Sequence, residues 1–476
     1  MKVRSRMLVR PSAVAIALSF ASSARTQDVV LTSAGPTQAQ SDKPQQSMAD
    51  EDRQLRQIAQ RRHSKDMSPG SGQGDTQRPP EGLAGDWFGI RDRLERIGIV
   101  PTARYTSESA WNFRGGKKED ITENGQFDIG LRADLDKMIG LDGGTVQTTI
   151  TYRRGHDLDL RAGLGTLQQV QEVYGRGQTV RLTQFWYEQT LGGDRVDLKV
   201  GRTSPGEDFS AFSCLFENLT FCGSQPGNLV GDYWYNWPIS QWGGRARVNF
   251  GRFYVETAAY EANPHNLDKS FLNFHFHGAT GALIPFEVGM VRGRRRGGTV
   301  GSYKIGGWIN TQDAPDLLYD TAHHPLLLAS DQPEQHSSRY GGYVAIEQQL
   351  TGRSENGKAV SGLTFFLNAV IADKQTSKTD SQIAGGIFYR GLIPWFTEDT
   401  VGVGFGRTHV SSRFAELEHL HGQERQKSEY EAEIFYGFHP LFFLELRPNL
   451  QWIHDAGGYS SRKDVGVFGM KAALTL

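Results

Sequence analysis

Between Arg202 and Arg247 the sequence concentrates two kinds of side chain. Tyr233, Trp234, Tyr235, Trp237 and Trp242 offer flat apolar rings, while Arg202, Glu207, Asp208, Glu217, Asn218, Asp232, Arg245 and Arg247 offer charges and hydrogen-bonding groups. That pairing suits a neutral polyhydroxylated solute. Rings cover the C–H face of a pyranose, and charged groups replace water at its hydroxyls. The candidate solute contacts are Trp186, Glu188, Arg202, Asp208, Glu217, Asn218, Trp234, Trp237, Arg245 and Arg247, with Arg132, Asp134 and Asp136 as secondary candidates. Each of these charges could also be part of a solvated wall.

Other chemistry has weaker support. His275 with His277, His323 with His324, and His419 with His421 are pairs without a third ligand nearby in sequence, which reads as loop histidines rather than metal sites. Gly402, Gly404 and Gly406 repeat without a following helix, so a nucleotide site is not expected. No nucleophile elbow, His-Glu-x-x-His or paired-cysteine zinc spacing occurs. No catalytic residue, cofactor or metal is therefore assigned. Any two of the many acids could still meet as a catalytic pair.

The elements that position these residues are strands. In Gln126–Lys137, Phe127, Ile129, Leu131, Ala133 and Leu135 alternate with Asp128, Gly130, Arg132, Asp134 and Asp136. Side chains of a strand point to opposite faces in turn, so one face is apolar and the other charged. The same alternation recurs from Ile99 to Leu476, for example at Leu363–Ile371 and at Tyr430–Tyr436. The polar faces carry Arg195, Asp197 and Lys199, then Glu429, Glu431 and Glu433, then Glu445 and Arg447. Roughly 16 strands result, within the range of membrane barrels. A soluble sandwich would need two or more domains for that number, yet no linker-like break follows residue 82. The expected fold is all-β, a transmembrane antiparallel barrel. A short helix with Trp87, Ile90, Leu94 and Ile97 on one face precedes it and stops at Gly98.

The address agrees. Lys2, Arg4, Arg6 and Arg10, then the apolar stretch Ala13–Phe20, then Ala21–Ala24 read as a secretory signal peptide over residues 1–24. Residues 25–82 are polar and almost free of aromatic residues, which predicts a disordered periplasmic segment before a barrel domain over 83–476. No apolar run approaches the ~20 residues of a membrane helix. Cys214 and Cys222, the only cysteines, lie close together behind an export signal. A disulfide is expected, and metal binding is the weaker alternative because no His shares the segment.

From Gly85 onward the chain resembles the carbohydrate-selective porins of the OprB family. The residues carrying the resemblance are Gly85-Asp86-Trp87 with Arg91, Leu94 and Gly98; Gln126-Phe127-Asp128; Val200-Gly201-Arg202; and the segment Cys214–Gly223. Tyr303–Gly306 with Asp313–Asp316, and Leu446–Gln451 leading to Gly457-Gly458, complete the ordered set. The resemblance implies a single-chain 16-stranded barrel in the outer membrane of a Gram-negative bacterium, passing sugars by passive diffusion. The segment before Gly85 and the last residue, Leu476 in place of the usual aromatic, depart from the family pattern.

Three functions are consistent with these features. The first is a porin for glucose and similar sugars, with residues 202–247 folded into the lumen as a constriction; the competing placement is an extracellular loop with interfacial aromatics. The second is a porin for other small polar or anionic solutes, which a lumen richer in Arg than in acids would favour. The third is an exported carbohydrate-active enzyme with the same segment as its cleft. Expected partners are permeating sugars, outer-membrane lipid and lipopolysaccharide, with no nucleic acid. Arg292–Arg296 reads as a turn or rim facing lipid phosphates. Monomer and trimer are both open.

Overall fold

The structure is a computed structural model that describes residues 82–271, 277–293, 298–328, 332–355, 357–393 and 398–476. The signal segment, nearly all of the polar stretch that follows it, His275 and Arg294–Arg296 lie outside the described residues.

One sheet closes on itself. Its strands are β1 Ile99–Arg114, β2 Ile121–Asp134, β3 Gly144–Gly155, β4 Val180–Leu191, β5 Val196–Thr203, β6 Gln241–Phe250, β7 Phe253–Ala262 and β8 Gly281–Arg292. They continue as β9 Gly301–Asn310, β10 Arg339–Gln349, β11 Gly362–Ala372, β12 Thr379–Arg390, β13 Thr400–Val410, β14 Ser428–Leu441, β15 Leu444–His454 and β16 Val465–Thr475. Neighbours in the chain pair antiparallel, and β1 meets β16 through the register Trp111↔Phe468 and Tyr105↔Leu474. Closure leaves the sheet with no unpaired edge, which a bilayer requires.

The alternation read from the sequence sorts the two faces. Ile129, Leu131, Phe185, Val200, Phe286, Ile305, Ile383 and Phe405 all lie exposed on the outside. Only lipid can cover such a belt around a closed barrel. The intervening residues of the strands point inward and are buried, among them Gln126, Glu188, Lys199, Glu287, Lys304 and Glu431. At one end the connections are short, such as Gly251-Arg252 between β6 and β7, where Gly251 takes φ 67° to close a two-residue turn. The same end holds the first described residues, with Leu83 N–H donating to Thr475 O at 3.0 Å. The opposite end carries the long connections 156–179, 204–240, 263–280, 311–338 and 411–427. Short turns face the periplasm and long loops the exterior in barrels of this kind, which orients the molecule.

Two local readings change. The stretch Gln126–Lys137 leaves the sheet at Asp134, whose carboxylate accepts the N–H groups of Asp136 (3.1 Å) and Lys137 (3.3 Å) and caps a short helix, Leu135–Ile139. Leu135 and Asp136 therefore belong to a turn and not to a strand face. The N-terminal helical stretch begins at Trp87 as the apolar spacing suggested, with a 3-10 turn at Trp87–Gly89 leading into the helix Ile90–Arg96, but its sides are covered differently. Its apolar residues Ile90 and Ile97 are exposed, whereas Arg91 is buried and bonded to Glu95 at 3.2 Å.

Candidate functional site

Residues 204–240 do not arch outside the barrel. Ser204 and Glu207 form a capping box at Pro205–Asp208, and the chain then runs across the lumen. A backbone taken into a barrel must find partners for its N–H and C=O groups, and here the wall supplies them. Glu287 on β8 accepts Ser210 N–H at 2.8 Å, and Lys304 on β9 donates to Ala211 O. On the other side Glu433 of β14 accepts the N–H groups of Glu217 (2.9 Å) and Asn218 (2.8 Å), while Arg447 of β15 donates to Leu215 O. A second loop, 156–179, enters in the same way. Glu429 accepts Leu167 N–H at 2.8 Å, and Glu108 accepts Val173 N–H at 2.9 Å. The two loops join through Glu172 N–H to Glu217 O (3.0 Å) and Leu219 N–H to Gln169 O (2.9 Å).

The candidate residues divide between these anchors and the gap beside them. Asp208 is an anchor: its carboxylate meets Lys199 Nζ at 3.1 Å, Arg245 at 3.0 Å and Tyr260 Oη at 3.3 Å. Burial would raise Asp208, but Lys199 and Arg245 outweigh it and hold the carboxyl below the usual range. Glu207 lies 3.5 Å from the same Lys199, yet burial dominates there and its carboxyl is raised. Arg245 also pairs with Glu188 at 2.7 Å and with Asp197. Arg247 lies over the Tyr254 ring at 3.6 Å, and Trp186 lies under Lys199 Nζ at 4.6 Å. Arg202 donates to Ser240 O at 2.6 Å and to Asn266 Oδ1 at 3.0 Å. Glu217 accepts Asn449 Nδ2 at 2.6 Å, and Asn218 donates to Gln451 at 3.0 Å. Burial, then the carboxylates of Glu108 and Glu433, push Glu217 well above the usual range. Trp234 is fully buried, packed edge-on against Trp308 (5.4 Å) and near Tyr343 (6.2 Å). Its ring holds the loop to the wall and offers no face to a solute. Asp232 is exposed and paired with Arg339, and Trp242 lies on the outward face of β6.

Trp237 is placed differently. It borders a gap between the infolded loops and the sector formed by β15, β16 and β1. The loop side presents Trp237, Asn236, Leu219, Glu172, Glu207 and the Cys214–Cys222 disulfide, whose Cα atoms are 4.5 Å apart. The wall side presents Arg104, Thr106, Glu445, Arg447 and Lys471. Lys471 also reaches Glu172 at 3.0 Å and Glu108 at 2.9 Å. Burial would raise the Glu172 carboxyl, but Lys471 and Arg153 hold it below the usual range. Arg104, Glu172, Glu445, Arg447 and Lys471 were not among the candidates. The inward faces of Arg104, Glu445, Arg447 and Lys471 were legible from the alternation, but only closure of β1 onto β16 brings them together, and Glu172 reaches them from the infolded loop 156–179.

Among the described histidines, His323 and His324 are largely exposed and lie near Glu334 and Asp320. Asp316, Glu334 and His336 converge outside the barrel, where the Arg413 guanidinium occupies Asp316.

A closed membrane barrel whose own loops narrow the lumen to a polar gap is a porin. The chain belongs to the carbohydrate-selective porin, OprB family, matching it over residues 118–476. Porin B of Pseudomonas aeruginosa is 37% identical over 412 residues, covering 82% of this chain and 90% of that protein. A putative porin, QuiX, of Acinetobacter baylyi is 31% identical over 419 residues, covering 82% and 92%. The high-pH structure of Pseudomonas putida OprB superposes with a TM-score of 0.79 at 34% identity, covering 85% of this chain and all of that one. The protein is accordingly a Gram-negative outer-membrane porin through which sugars diffuse, a channel by class.

Proposed function

We propose that sugars of the glucose class cross through the gap between the infolded loops and the β15–β16–β1 sector, with a pyranose ring stacking on Trp237. The observation that carries this reading is the charge balance of the lining. Arg104, Arg447 and Lys471 face Glu172, Glu207 and Glu445, basic groups mostly on the wall and acids mostly on the loops. Opposed charges across a narrow gap orient a dipolar, hydroxyl-rich solute without attracting net charge, so a neutral solute suits the lining better than an anion. Trp186, Glu188, Arg202, Asp208, Glu217, Asn218, Arg245 and Arg247 act by holding the loop at its working distance. Trp234 acts as packing. Passage is passive diffusion and involves no catalytic step or cofactor. Residues 1–24 are removed on export, residues 25–82 form a periplasmic segment, and lipopolysaccharide surrounds the loop-bearing rim.

The test is single-channel conductance in a planar bilayer titrated with glucose. Trp237→Ala should weaken sugar block by about fivefold, from the ~1 kcal/mol of one aromatic contact, with conductance level or raised. Trp234→Ala in a correctly inserted barrel should instead increase current noise. Block that survives Trp237→Ala unchanged would place the sugar path elsewhere.

A further inference from the structure

Among the described residues, the outer surface carries a basic feature that the pore does not use. On the outward faces of β11, β12 and β13, Ile371, Ile383 and Phe405 form the upper part of the apolar belt. The next outward residue on β13 toward the loop end is Arg407, in register with Ile383 and Tyr430. An arginine on the lipid face near the midplane costs about 2–4 kcal/mol, and the cost falls toward the interface where anionic groups are available. Arg407 donates from Nε to Ser428 Oγ at 2.9 Å and, among the described residues, makes no ion pair. Lys374, exposed in the turn after β11, likewise has no carboxylate partner among the described residues.

These two cations line an open cavity of about 490 Å³ on the outside of the barrel, together with Tyr340, Ile371 and His409. Its two acids are already hydrogen-bonded, one within its own turn and one to His409 of the same lining. Asp373 accepts Gln375 N–H (3.0 Å) and Thr376 Oγ1 (2.8 Å) within its own turn, and Asp380 is bound to His409 Nδ1 at 2.6 Å. The recess therefore offers two cations without carboxylate partners among the described residues, Arg407 and Lys374, beside two carboxylates whose oxygens are already hydrogen-bonded, and it opens at headgroup level next to apolar residues of the belt.

We propose that this recess seats the phosphorylated headgroup of an outer-leaflet lipid. The guanidinium of Arg407 and the ammonium of Lys374 meet the phosphate, and an acyl chain runs down Ile371, Ile383 and Phe405. A guanidinium presents N–H groups in a fork suited to phosphate, and a basic residue at a membrane surface contributes favourably to anionic lipid binding. The apolar residues around Arg407, with Ile371 in register with His409, Ile383 in register with Arg407 and Phe405 one outward position below, favour a lipid over free phosphate. The inference rests on the orientation with long loops facing outward.

The test is native mass spectrometry of the full-length barrel in detergent, titrated with bis-phosphorylated lipid A, with its dephosphorylated form, and with inorganic phosphate. The combined Arg407→Ala and Lys374→Ala variant should bind lipid A roughly 30-fold more weakly, about 2 kcal/mol at 1.4 kcal/mol per factor of ten. Lys374→Ala alone, confined to a turn, should show a partial loss. Arg154→Ala, which removes an outward arginine already paired with Glu123 at 3.3 Å, should bind as the parent does. All variants should keep heat-modifiable mobility and sugar-blocked conductance, so failure of the lipid site is distinct from failure of the porin reading. Undiminished lipid A binding by the double variant would overturn the proposal. Equal affinity for dephosphorylated lipid A, or for inorganic phosphate, would overturn it as well.

Discussion

Asp208→Asn isolates the electrostatic part of what holds the constriction loop. The substitution keeps the shape of the side chain and removes one charge from a buried group. Lys199 loses contacts at 3.2 and 3.1 Å, Arg245 loses one at 3.0 Å, and Tyr260 one at 3.3 Å. Leaving a buried charge bare costs about 3–5 kcal/mol. Neither cation is left bare here, because Lys199 keeps Glu207 at 3.5 Å and Arg245 keeps Glu188 at 2.7 Å. What is lost is charge-assisted hydrogen bonding, worth about 1.5–3 kcal/mol per bond, partly recovered by the amide oxygen. The expected net cost to loop docking is about 2 kcal/mol, which raises the undocked population by roughly 30-fold. Hydrogen exchange across residues 205–212 should accelerate accordingly, with noisier single-channel current and unchanged heat-modifiable mobility of the barrel. Unchanged exchange in that segment would refute the argument and leave the Glu287 and Lys304 bonds, with the aromatic cluster around Trp234, as the anchor.

Leu131→Arg places a charge on the lipid face, where the cost is about 2–4 kcal/mol near the midplane, and should impair assembly. Asp134→Asn should assemble normally, because Asn caps a helix about as well as Asp; equal tolerance at both positions, scored by heat-modifiable mobility, would mean that the faces are assigned wrongly. Acid should act with opposite signs on Asp208 and on Glu217. The lowered Asp208 contributes stability that is complete above about pH 4 and is lost as pH falls through its folded value. The raised Glu217 favours docking when protonated, so its end weakens as pH rises from about 4.3 through its folded value. Hydrogen exchange corrected for intrinsic rates should therefore show protection at 214–222 falling between mild acid and pH 8. Protection at 205–210 should fall below about pH 4 through Asp208, while the raised Glu207 adds a loss there as pH rises above the free carboxylate range.

The class of protein was legible because a two-residue period is a local property. Each apolar residue from Ile129 to Phe468 declares its face through its neighbours alone, and an outward belt with an export signal admits few folds. The Cys214–Cys222 pairing was legible for a similar reason, as the two lie eight residues apart. The site was only partly legible. Trp234 and Trp237 have the same side chain, three positions apart, yet one is sealed against Trp308 and Tyr343 while the other borders the gap. That difference depends on which wall strands the loop crosses, and those strands lie far downstream. The inward charges were visible as charges, but whether each serves a solute or a loop depended on where the backbone of 156–179 and 204–240 ran. Glu429 and Glu433 are engaged because those buried N–H groups need acceptors. The wall of the gap is more distant still in sequence. Arg104 belongs to the first strand, Arg447 and Lys471 to the last two, and only closure of the barrel makes them neighbours.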